Sequence, residues 1–232
     1  MPQTEHWDQP LFCIGLTRSG TSMAMGILST CGLWIGNMRA PSQYNPKGFF
    51  ENLRLERRIA EVSLGLVGAD PDGVDPVPKI GAFKNLPNIR YMVEFELRAD
   101  GYQGGRPWGF KSTKMTLSWP IWARAFPNAR WVTFRRPDDQ VIKSCLRTPF
   151  QREHADDPAF SKSRIAVYLD WIDGLKRSGL PWVEVWLREL LAKNRTQLKQ
   201  IAERLGLSWD HDRVRNSIEL ETWGGPHVAS GK

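Results

Sequence analysis

Cysteine is scarce in this chain. The three residues, Cys13, Cys31 and Cys145, are far apart, odd in number and set in apolar stretches. That pattern argues against a disulfide framework and for buried free thiols in a reducing compartment. Histidine is equally rare, and His6, His154, His211 and His227 form no cluster with metal-ligand spacing, so no metal is expected. No apolar run is long enough to span a membrane. The opening residues, Met1-Pro2-Gln3-Thr4-Glu5-His6, lack a basic segment followed by an apolar one, so no signal peptide and a cytoplasmic location are expected. Internal repeats and low-complexity tracts are absent.

What is present suits one folded domain over 1–232, with its core in about 11–207. Hydrophobic residues make up 41%, which argues against disorder. The net charge of +7 suits a polyanionic small ligand or a nucleic acid and does not choose between them. Strands are expected at 11–14, 108–111, 129–134 and 182–187, and helices at 21–31, 51–63, 89–97, 137–147, 160–175 and 189–205. Residues 65–82, rich in Gly, Pro and Asp, read as a lid or flexible loop. Strands alternating with helices imply an α/β fold, a three-layer α/β/α sandwich around a mainly parallel sheet. In such folds ligands bind beyond the carboxyl ends of the strands.

Two segments leave such strand ends. The first is Gly15-Leu16-Thr17-Arg18-Ser19-Gly20-Thr21-Ser22. Its glycines let backbone N–H groups approach an anion, the helix start adds partial positive charge, and Arg18, Ser19, Thr21 and Ser22 offer further donors. The lysine that an ATPase or GTPase carries between the second glycine and the hydroxyl is missing, because Thr21 stands there. The loop therefore reads as a phosphate cradle, but not one for the γ-phosphate of ATP. A packing turn between strand and helix is the bland alternative.

The second segment runs Arg135-Arg136-Pro137-Asp138-Asp139-Gln140-Val141-Ile142-Lys143-Ser144-Cys145-Leu146-Arg147. Helical spacing puts Val141, Ile142, Cys145 and Leu146 on an apolar face. Arg136, Gln140, Lys143, Ser144 and Arg147 lie along the other side. A strand thus delivers arginines to a helix that carries a hydroxyl, which suits a second phosphate. The bland alternative is a solvated basic face.

Together these residues resemble the sulfotransferases that use 3′-phosphoadenosine 5′-phosphosulfate, in their bacterial and phage form, whose fold is of the P-loop kind. Arg18-Ser19-Gly20-Thr21-Ser22 resembles their 5′-phosphosulfate loop. Arg135–Arg147 is similar to their 3′-phosphate segment, with Arg136 and Ser144 in the matching positions and Arg135 beside them. Trp108-Gly109-Phe110-Lys111 and Trp119-Pro120-Ile121-Trp122 resemble the middle strand and helix, and residues 182–207 the late strand and its Leu-Gly-Leu ending. The resemblance implies that a sulfuryl group passes to a hydroxyl or amine of a small molecule, glycan or other acceptor. It also implies that Arg18 stabilises charge on the leaving 5′-phosphate.

The chain departs from that pattern at the proton acceptor. Cytosolic members carry a histidine two residues beyond a lysine at the middle strand, whereas Lys111 is followed here by Ser112 and Thr113. Glu51, in Gly48-Phe49-Phe50-Glu51-Asn52, resembles the acidic position of bacterial members and is the expected base; a first-turn acid that favours the helix dipole is its bland reading. Lys111 and Lys114 are expected either to help bind sulfate or to be surface lysines. The tail Trp223-Gly224-Gly225-Pro226-His227 is only faintly similar to the family's late Gly-rich stretch. Residues 65–81 and 154–158 are expected at the acceptor pocket. Two other functions stay open from sequence: a P-loop kinase of a nucleotide or small molecule, and a non-catalytic nucleotide- or nucleic-acid-binding protein, for which RNA-binding and zinc-finger signatures are missing.

Overall fold

Side chains alternate along the first strand, β1 (Leu11–Gly15), and this decides the layering. Phe12 and Ile14 enter one buried cluster, and Leu11 and Cys13 enter another on the opposite face. A strand buried on both sides must be covered by helices on both sides. The computed structural model describes residues 5–43, 45–147, 154 and 156–217. The motif at 223–227 and part of 154–158 lie outside the described residues.

In chain order the elements are α1 (Glu5–Asp8), β1, α2 (Thr21–Thr30), α3 (Leu53–Arg58), α4 (Arg90–Ala99), β2 (Gly109–Lys111), α5 (Trp119–Ala125), β3 (Arg130–Arg135), α6 (Asp138–Cys145), α7 (Pro158–Arg177), β4 (Trp182–Trp186), α8 (Leu187–Leu191), α9 (Thr196–Arg204) and α10 (His211–Ser217). The sheet order is β2-β1-β3-β4, parallel throughout. The chain leaves β1 for one side and later returns to the other, so the loops after β1 and β3 part at this switch point and leave a crevice above it. Gly15 is in register with Phe134, and Arg135 with Trp186, which brings the ends of three strands to one edge.

One cluster gathers residues of α3, α4, α5 and α7 around Phe12, whose ring meets Trp108, Trp122, Phe126 and Trp131 at 4.9–5.9 Å. These tryptophans are core. The other cluster sets Met23, Ala24, Ile27 and Leu28 of α2 against Val132, Phe134 and Val185.

Two helices differ from expectation. The helix expected over 51–63 is α-helical only through Arg58 and continues as a π-helix, Ile59–Leu64. The wider turn aligns residues five apart, so Ile59 and Leu64 both reach the core. The helix expected over 189–205 is two helices, α8 and α9. Lys193 takes a left-handed φ of 63°, and the Asn194 N–H returns to the carbonyl of Glu189 at 2.8 Å, closing α8 before α9 begins. Residues 65–82 form an ordered cover: Asp70 accepts from the Val74 N–H at 2.7 Å, and Ala69 and Val74 are buried.

Candidate active site

The loop after β1 is built to bring backbone close to a ligand. A Cβ on Gly15 would stand 2.8 Å from the carbonyl oxygen of Phe134 and 2.9 Å from Ser19 Oγ. The Gly15 N–H donates to Thr116 Oγ1 at 3.0 Å, and the same hydroxyl donates back to the Gly15 carbonyl, which fixes the end of the strand. Gly20 precedes α2 at φ 101°, with Leu187 packed where a Cβ would project. No acid lies in the first turn of α2, so its partial positive charge is not offset there. Arg18 holds a left-handed φ of 67°, a conformation that costs a non-glycine residue about 1–3 kcal/mol.

The second segment closes on the first. Arg18 Nε donates to Ser144 Oγ at 2.9 Å, and Arg136 Nη1 donates to the Arg18 carbonyl at 3.3 Å. The strained loop residue is thereby held from the strand–helix junction. Burial lowers the pKa of the Arg18 guanidinium. Burial also lowers that of Arg136, and the charges of Arg18 and Arg147 push it further down, while Asp139 offsets only part. Like charges gathered in a half-buried crevice are an anion site by their electrostatics. Arg135 lies over the Trp186 ring at 5.4 Å, with Arg188 over the same ring at 4.7 Å.

Two buried hydrogen-bonding atoms test whether a phosphate-bearing ligand fits. Ser19 is fully buried and its hydroxyl has no hydrogen-bond partner, and Arg135 Nε is likewise buried without one. Buried polar atoms of this kind normally have partners, so both fit oxygens brought by a ligand. Thr21 is buried at the helix start. Ser22 faces another way: its hydroxyl donates to the Phe49 carbonyl at 3.1 Å and accepts from Asn45 at 3.2 Å.

Glu51 and Lys111 meet in a buried pair. Lys111 Nζ lies 2.5 Å from Glu51 Oε1 and also donates to the Phe49 carbonyl and to Ser22 Oγ. Lys111 is 3% exposed and is therefore no surface lysine. The pair ties the end of β2 to the donor-side loop and to the turn before α3. Lys114 pairs with Glu56 Oε2 at 3.0 Å and approaches Asp72 at 3.9 Å. Sequence reading missed Glu56. Its one signal was an acid next to Leu55 on an amphipathic helix, which ordinarily means a solvated face.

Beside the loop a narrow cleft of about 30 Å³ opens between Leu16, Thr17, Gly73, Val141, Ile165 and Tyr168. Residues 73 and 74 of the expected lid cover it. Glycine suits position 73 twice over: its φ of 73° is left-handed, and a Cβ there would meet the Tyr168 hydroxyl at 2.8 Å.

The profile of the sulfotransferase family matches residues 10–211. A sulfotransferase from Mycobacterium tuberculosis superposes with a TM-score of 0.55 at 15% identity, over 93% of this chain and 72% of that one. The sulfotransferase domain of the Synechococcus olefin synthase gives 0.58 at 18% identity, over 99% and 86%. The sulfotransferase domain from the curacin biosynthetic pathway gives 0.59 at 17%, over 97% and 83%. At these identities the structures speak for the fold, and the family profile speaks for the family. No curated protein matches the chain.

Proposed function

The chain belongs to the sulfotransferase family and is an enzyme of sulfuryl transfer, and from that premise we propose that its donor is 3′-phosphoadenosine 5′-phosphosulfate. Arg18, Ser19, Gly20, Thr21 and Ser22 hold the 5′-phosphosulfate, and Arg136 and Ser144, with Arg135 beside them, hold the 3′-phosphate. The observation that carries this reading is the Arg18–Ser144 hydrogen bond, which makes one crevice of the two segments. The donor supplies an activated sulfuryl group, and the chain supplies the charge that steadies the departing phosphate. Arg18 does so as a permanent cation with a planar fork of donors. Ser144 accepts from Arg18 and keeps its own hydrogen for a phosphate oxygen. Ser22 joins the donor when it exchanges the Phe49 carbonyl for a phosphate oxygen.

The acceptor, a small molecule with a hydroxyl or amine, enters the cleft at Thr17 by displacing residues 73 and 74. Glu51, the base expected from sequence, is joined through Lys111 to Ser22 and so reaches the donor loop as the partner of that lysine. No helix among the described residues is long and apolar enough to cross a membrane. Three free buried thiols suit the cytoplasm.

Isothermal titration with adenosine 3′,5′-bisphosphate tests the donor. Tight binding, lost in Arg136→Ala, is expected. Binding of magnesium–ATP in its place overturns the proposal. The kinase alternative is not favoured, since Thr21 stands where its lysine belongs.

A further inference from the structure

Four acids are buried among the described residues: Glu51, Glu56, Asp70 and Glu96. Glu51 is paired with Lys111, Asp70 accepts from the Val74 N–H, and Glu96 is gripped by Arg54 and Arg58. Glu56 differs. Lys114 pairs with its Oε2 and the Ser112 hydroxyl stands beside the carboxylate, but no hydrogen bond of ordinary length reaches its buried Oε1. A buried acceptor left without a donor is costly and calls for an explanation.

Its position offers one. Glu56 faces the chain just past the end of β2, at Ser112 and Lys114, where the resemblance lacks its histidine. The cover that closes the cleft also meets Lys114, the partner of Glu56. Asp72 approaches Lys114, and a Cβ on Gly73 would stand 3.5 Å from Lys114 Cγ and 2.8 Å from the Tyr168 hydroxyl. Tyr168 lines the cleft and feels the charge of Glu56. Lifting residues 72–74 to admit an acceptor therefore frees the Lys114 and Tyr168 side of Glu56.

We propose that Glu56 takes the proton of the acceptor hydroxyl or amine during sulfuryl transfer, while Glu51 stays paired with Lys111 and holds the end of β2 against the donor loop. This rests on the donor reading given above. The acceptor's O–H or N–H bond breaks and its proton passes to Glu56 Oε1. The acceptor atom bonds to sulfur, and the bond from sulfur to the 5′-phosphate oxygen breaks, its electron pair leaving with that phosphate. The proton then passes to solvent when the product departs. Burial raises the pKa of Glu56 and the charge of Glu51 raises it further, with Lys114 and Ser112 drawing it back in part. A carboxyl so placed binds a proton more readily than an exposed one. The groups that face it are Glu51 before α3, Ser112 and Lys114 after β2, Asp72 in the cover and Tyr168 on α7.

Carboxyl-labelled glutamate, followed by carbon-13 NMR in the adenosine 3′,5′-bisphosphate complex, tests this directly. The Glu56 signal is assigned by its loss in Glu56→Gln. It is expected to titrate above the ordinary glutamate value of about 4.3, and to move down in Glu51→Gln, which removes the like charge. With 3′-phosphoadenosine 5′-phosphosulfate and 4-nitrophenol as probe acceptor, Glu56→Gln is expected to lose about 100-fold or more in kcat and the acid limb of the pH profile. Its affinity for the bisphosphate is expected to stay unchanged, and Glu56→Asp to recover part of the rate. An ordinary titration for Glu56, or a Glu56→Gln enzyme of wild-type rate, overturns the proposal. If 4-nitrophenol is not turned over, the titration decides. Failure of the wild-type protein to bind the bisphosphate overturns the donor reading instead.

Discussion

Arg18 Nε donates to Ser144 Oγ at 2.9 Å across 126 positions of sequence. The bond joins a loop that sequence assigns to one phosphate with a helix that it assigns to another. The two should therefore not act independently. Arg18→Ala is expected to weaken adenosine 3′,5′-bisphosphate binding by about 1.5–3 kcal/mol, and Ser144→Ala by about 1 kcal/mol. The double variant should fall short of the sum by about 0.5 kcal/mol or more, because each single change already breaks the shared bond. Calorimetric titration of the four proteins measures this. Strict additivity would mean that the segments bind separately.

Lys111 and Glu51 set a second test, one of stability. Lys111→Met leaves Glu51 buried with only Arg39, at 4.0 Å and largely exposed, to offset its charge. Removing one member of a buried pair typically costs about 3–5 kcal/mol, whereas replacing both is far milder. The urea midpoint should drop sharply in Lys111→Met and recover most of the loss in Lys111→Met/Glu51→Leu. A double variant as unstable as the single one would show that Lys111 matters for its bonds to Phe49 and Ser22 and not for its charge.

These two cases also mark what could be read from sequence. The donor loop was legible because its evidence is local: glycines, hydroxyls and a cation lie within eight residues, between a strand and a helix. The parallel sheet was legible because strands and helices alternate. The Lys111–Glu51 pair was not, since 60 residues separate its members and only the tertiary fold brings the turn before α3 to the end of β2. Glu56 was hidden for a related reason. An α-helical projection of 51–63 follows Leu55, Ile59 and Val62 and leaves Glu56 outside, whereas the fold buries it against Lys114, 58 positions away. The break between α8 and α9 depends on one left-handed residue, Lys193, a type with no preference for that conformation.

The thiols yield a prediction about reactivity. Burial pushes the Cys13 thiol up to about 12, against a partial pull from Lys111. Burial pushes Cys145 up to about 11, although Arg18 and Arg136 draw it down. Neither is a thiolate at pH 8, and the thiolate is the reactive form. A disulfide reagent at pH 8 should leave both unlabelled in the folded protein and label both in urea. Rapid labelling of Cys145 in the native protein would show that the crevice opens widely on its own.

Glu56 and Glu96 lie on neighbouring helices and should give opposite pH dependences. Burial alone would raise the pKa of Glu96, but the hydrogen bonds and charges of Arg58 and Arg54 prevail and lower it. Above the unfolded value of about 4.3 that stabilisation is complete, and it is lost as pH falls through the lower folded value. Glu96→Gln should therefore cost about 1–2 kcal/mol at pH 7, moderated because both arginines are partly exposed, and less as pH falls below 4. For Glu56 the sign reverses. Its folded pKa is raised, so the unfolded chain releases its proton first as pH rises, and the native state loses stability between the two values. Relative to wild type, Glu56→Gln should gain as pH rises from 4 toward 7, while Glu96→Gln loses as pH rises toward about 4.3 and stays level above it. Urea midpoints at pH 3, 4, 5.5 and 7 separate the two. Parallel slopes would mean that Glu56 is held ionised by Lys114 as firmly as Glu96 is by its arginines.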